Sequence, residues 1–73
     1  MFTNEYIKNQ TMQTIKTNTE EEAYSVQQEL KRYEVPAIRG IDSHGKNVVT
    51  AWCEDIRWKF ICEDLKRKGF EIQ

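Results

Sequence analysis

Little in this chain can carry covalent chemistry. It holds two cysteines, Cys53 and Cys62, one histidine, His44, three glycines and one proline in 73 residues. Two thiols and one imidazole do not complete a four-ligand zinc site within one chain, and the gap from Cys53 to Cys62 matches no usual ligand spacing. With Cys53 at a strand end and Cys62 well into a helix, helical rise separates them by about 13 Å, beyond the ~7 Å Cα limit of a disulfide. Free thiols are expected, which suits a reducing cytosol. The three glycines are scattered and suggest no phosphate-cradling loop, so neither a cofactor nor a metal is expected.

Two further absences restrict location and partners. Nowhere do 18 apolar residues run together, and residues 1–10 hold no apolar segment of signal-peptide length. Membrane spanning and secretion are disfavoured, and a cytoplasmic protein is expected. Eleven Lys and Arg stand against twelve Asp and Glu, leaving a net charge of -1. No global field draws in nucleic acid or an anionic membrane.

What remains has a readable order. Residues 1–10, with isolated Phe2, Tyr6 and Ile7, follow neither structural period and are expected to form an N-terminal arm; residues 11–73 are expected to form a single domain. Thr11–Thr17 is rich in β-branched residues and predicts a strand. Thr19 followed by Glu20, Glu21 and Glu22 is a capping box at a helix start. Ala23, Val26, Leu30 and Tyr33 then share one helical stripe. Pro36 forbids further helix, and Val35–Ile41 is expected as the second strand. Asp42, Ser43, His44 and Gly45 make a hairpin turn, and Asn47–Cys53 a third strand. Glu54 and Asp55 open a second helix whose Trp58, Ile61, Cys62 and Leu65 face a core. Lys66, Arg67, Lys68 and Gly69 close it, and Phe70, Glu71 and Ile72 alternate as a fourth strand.

An internal echo supports this plan. A shift of 35 residues lays Glu29, Leu30, Lys31 and Arg32 over Asp64, Leu65, Lys66 and Arg67, and Val35 over Phe70. Two βαβ halves joined by a hairpin give such a match. The expected fold is therefore α+β, ferredoxin-like βαββαβ, with a four-stranded antiparallel sheet and two helices on one face.

Candidate sites follow from exposure. Alternation puts Val48, Thr50 and Trp52 on one side of the third strand and Val49, Ala51 and Cys53 on the other. The smaller set suits packing under helices, so Trp52 is expected on the open face as an anchor for a protein partner. Ile56 and Phe60, one turn apart and opposite the core stripe of the second helix, make a second candidate face. Asp42, Ser43 and His44 are consecutive turn residues pointing in different directions, not a catalytic triad. Cys53 at a helix start is the one candidate nucleophile, but Glu54 and Asp55 disfavour its thiolate.

The βαββαβ plan resembles RNA-recognition domains, but the aromatic motif of that family is missing. Lys46–Trp52 offers one aromatic and no glycine, and the first strand offers no aromatic. The strand-helix-strand cadence, with Val35, Pro36 and Ala37 opening the second strand, also looks like peptidoglycan-binding repeat domains of the bacterial envelope and like small ligand-sensing regulatory domains. The first likeness would require an export signal, and the second shares no ligand motif. The expected function is a small non-enzymatic regulatory or inhibitory protein that binds another protein and is homodimeric through its sheet face. Abundant Lys, Asn, Glu and Ile suit an AT-rich bacterial or phage genome. A nucleic-acid-binding or nucleic-acid-mimicking domain is the alternative, and a thiol-based redox or enzymatic role through Cys53 the third reading.

Overall fold

The computed structural model describes residues 10–72. The expected N-terminal arm, apart from Gln10, lies outside the described residues. The order is β1 (Thr11–Thr17), α1 (Glu20–Arg32), β2 (Ala37–Ile41), β3 (Asn47–Cys53) and α2 (Asp55–Arg67). The strands form one antiparallel sheet in the order β1-β3-β2. The protein is α+β, with two helices and a three-stranded sheet.

The core explains why both helices lie on one side. Ile15 of β1 and Val49, Ala51 and Cys53 of β3 are buried against Ala23, Val26 and Leu30 of α1 and Ile61 and Leu65 of α2. These positions alternate along the strands and recur at helical spacing, so one face of each element loses its contact with water. Thr17, the one buried polar residue among the described residues, donates its hydroxyl proton to the carbonyl of Thr19 at 3.0 Å.

Helix α1 is capped at both ends. The Thr19 hydroxyl accepts from the Glu22 amide at 3.1 Å, while the Glu22 carboxylate reaches back past the cap to the Asn18 amide at 3.0 Å. At the other end the Val35 amide donates to the Leu30 carbonyl and the Glu34 amide to the Lys31 carbonyl. This is a Schellman turn, and Glu34 takes its left-handed position at φ 61°. The second strand consequently starts at Ala37 rather than Val35: the Val35 donor is committed to the helix end, and Pro36 has none.

The fourth strand expected at Phe70–Ile72 does not form among the described residues. Helix α2 ends in the same Schellman turn, with Phe70 donating to Leu65 and Gly69 to Lys66, so the first amide of the supposed strand serves the helix. Phe70 and Ile72 still rest against the core, and the Asn18 side chain donates to Glu71 at 3.4 Å. Alternation there records which side chains turn inward, without backbone pairing.

Candidate functional site

The register of the sheet determines what lies away from the helices. Trp52 is opposite Met12, Thr50 lies between Thr14 and Ile38, and Val48 lies between Lys16 and Gly40. Because Val49, Ala51 and Cys53 are buried under the helices, the Val48, Thr50 and Trp52 set must point the other way. All three are half-buried, and they are flanked by Met12, 64% exposed, and Ile38, 58% exposed. Among the described strand residues the one charged side chain on this face is Lys16. It stands at a corner, with its ammonium 3.8 Å from Asp42.

Ile56 and Phe60 lie elsewhere. They are 75% and 66% exposed on the outer surface of α2, in the layer opposite the open sheet face. The five candidate residues therefore form two separate surfaces. Phe60 borders a groove of about 390 Å³ that also touches Tyr33, Arg57 and Arg67.

That groove is edged by a polar clamp between the helices. The Tyr33 hydroxyl donates to Asp64, Arg57 donates to the Tyr33 carbonyl, and Lys68 donates to Glu29 at 2.5 Å and to the Tyr33 oxygen at 3.3 Å. The hydrogen bond from Tyr33, followed by the Lys68 charge, holds the Asp64 carboxyl below the usual carboxylate range. The same bond, with burial, pushes the Tyr33 hydroxyl above its ordinary value. Bonds to Glu29 and Tyr33 raise Lys68. The cations that close the helices are thus shared with nearby carboxylates: Arg32 lies 3.9 Å from Glu29, and Arg67 lies 3.0 Å from Asp64.

The remaining chemical candidates are occupied structurally. Cys53 is buried, and desolvation raises its thiol, with Glu54 and Asp55 adding to the rise against the opposing charge of Arg57. Burial also raises Cys62. His44 lies in the exposed turn between β2 and β3. Gly40, Gly45 and Lys46 have the spacing of a phosphate loop, a pattern that composition alone did not bring out, but position 47 is asparagine. The segment also joins two antiparallel strands instead of opening a helix. Asp42 itself fills the amide cradle, accepting from the backbone of His44 at 2.9 Å and of Lys46 at 2.8 Å. These bonds, that of Lys46 foremost, hold the Asp42 carboxyl below its usual value.

Met12 and Ile38 were missed in the sequence because each lies in a strand whose inward side its own pattern does not reveal. Their parity follows only from pairing with β3. Among the described residues no three His, Cys, Asp or Glu side chains gather as metal ligands, and no helix is long and apolar enough to cross a membrane. No protein-family model matches the chain, and no curated protein or solved structure shows significant similarity to it.

Proposed function

We propose that this chain is a small regulatory or inhibitory protein of the cytoplasm that acts by binding another protein chain and catalyses no reaction. One observation carries the reading: the sheet face away from the helices presents Met12, Ile38, Val48 and Trp52 around Thr50, with a single charge at its corner. Exposed apolar side chains gathered around an aromatic anchor are the usual material of a protein interface. The groove beside Phe60 is the lesser candidate, because the clamp commits its polar groups to one another.

The ferredoxin-like plan belongs to the same proposal. The order β1-β3-β2 is that of its first three strands, and Glu71 lies beside the end of β1, where a fourth would enter. The nucleic-acid alternative has less support, since Arg32, Arg67 and Lys68 are engaged by carboxylates.

Affinity capture with the full chain tests the reading. Trp52→Ala is expected to abolish capture of a partner that the native protein retains, while Phe60→Ala leaves it unchanged. Salt-sensitive gel-shift binding with unchanged capture would overturn it in favour of nucleic acid.

A further inference from the structure

We infer that the occupant of the open sheet face is a second copy of this chain, packed face to face with antiparallel strands so that each Trp52 lies over Val48 and Gly40 of the other. This rests on the binding reading above and names the partner. The face has a large end and a small end. Met12, Trp52 and Pro36 form one end, Lys16, Val48 and Gly40 the other, and Thr14, Thr50 and Ile38 the row between them. A two-fold axis along that middle row brings each large end onto a small one. An axis along the strands would instead oppose Trp52 to Trp52 and leave both small ends uncovered, forfeiting contacts that close packing requires.

Gly40 is the hollow that makes the first arrangement fit. A Cβ there would meet only Val48, at 4.0 Å, so the space above it is open. Glycine within a strand weakens it, and one of its uses there is to let a ligand or another backbone approach closely. Like charges do not meet in this arrangement, since each Lys16 lies over the partner copy's Met12 at the rim.

Area limits the contact. Strands of seven, seven and five residues at ~3.3 Å rise and ~4.8 Å spacing give a face of roughly 300 Å² in plan, and its side-chain relief adds to this. Two copies give roughly 600 Å² in plan, below the ~1,000 Å² at which specific interfaces begin, so the association expected is weak and concentration-dependent.

Sedimentation velocity of the full chain from about 5 µM to about 1 mM tests this. The expected result is a monomer-dimer equilibrium in which Gly40→Gln and Trp52→Ala each weaken association at least tenfold, with Phe60→Ala within twofold of native. Gly40 has no positive φ and space for a side chain, so Gly40→Gln should keep its thermal midpoint even where Trp52→Ala does not. A monomer at 1 mM, or a dimer indifferent to Gly40→Gln, overturns the inference. In the monomer case iodide quenching in a Trp58→Phe background identifies the alternative. A shielded Trp52 means that residues 1–9 cover the face. An accessible Trp52 with Trp52-dependent capture leaves the binding proposal standing with a different protein as occupant, and an accessible Trp52 without it ends both.

Discussion

Both helices end in the same pair of hydrogen bonds but place different residues at the left-handed position: Glu34 at φ 61° after α1, and Gly69 at φ 99° after α2. A side chain in that region costs about 1–2 kcal/mol because Cβ crowds the following carbonyl. Glycine avoids the crowding but leaves a freer unfolded chain, which returns about 0.4–1 kcal/mol. Glu34→Gly is therefore expected to stabilise the fold by about 0.5–1 kcal/mol. For a domain of this size that raises the melting midpoint by roughly 2–8 °C. Gly69→Ala is the reciprocal change, and a Cβ there would have no heavy atom within 4 Å beyond its own chain neighbours. Its cost is then backbone strain less the unfolded-chain term, a loss of about 0.5–1 kcal/mol. Urea unfolding followed by circular dichroism measures both, and the slope should stay native, since neither change alters the surface exposed on unfolding. A lower urea midpoint for Glu34→Gly, or an unchanged one for Gly69→Ala, would refute the reasoning.

Other perturbations test the caps, the clamp and the core. Thr19→Ala removes the acceptor of the Glu22 amide and should cost about 1 kcal/mol in urea unfolding, whereas an unchanged midpoint would mean that water replaces the cap. Leu65, fully buried, should lose about 2–5 kcal/mol as Leu65→Ala, enough to populate unfolded chain at 25 °C by circular dichroism. The depressed Asp64 carboxyl stabilises the fold above its unfolded value and ceases to do so as pH falls through its folded one; the raised Tyr33 and Lys68 stabilise it below theirs and cease as pH rises. Midpoints should therefore be highest between about pH 4 and about pH 8.5, above which the raised Cys53 and Cys62 thiols begin to withdraw their share, with Tyr33→Phe flattening the acid limb. An acid limb unaltered in Tyr33→Phe assigns it to other carboxylates. Burial of Cys53 predicts alkylation far slower than for a free thiol until urea is added, and a native rate equal to that of free cysteine would revive the nucleophile reading.

Elements whose signals are local were legible in the chain. The capping threonine, the two apolar stripes and the Asp42–Gly45 turn act over four to eleven residues, and each forms where its pattern lies. The echo at 35 residues has a concrete cause: Leu30 with Val35 and Leu65 with Phe70 occupy equivalent places in two Schellman turns. That same turn misled the reading of Phe70–Ile72, because it uses the amide a strand would need while still turning Phe70 inward. The start of β2 was missed for the same reason at Val35. The outward placement of Met12 and Ile38 depends on partners 40 and 12 residues away in sequence, and no local period encodes it.

The open face left a subtler trace, and it bears directly on what the protein does. A strand covered on one side alternates apolar with polar or charged residues, whereas a strand covered on both reads as an almost continuous apolar run. From Asn47 to Cys53, β3 carries no charged residue, although helices cover only the Val49, Ala51 and Cys53 side. Its neighbours repeat the pattern: Thr14 and Ile38, facing outward beside Thr50, are also uncharged. Charged residues make up 32% of the chain, and the middle of this face carries none. The central strand has the composition of one buried on both sides, while the described fold covers only one. Covering the second side with another copy of the same face would bring the structure into agreement with that composition.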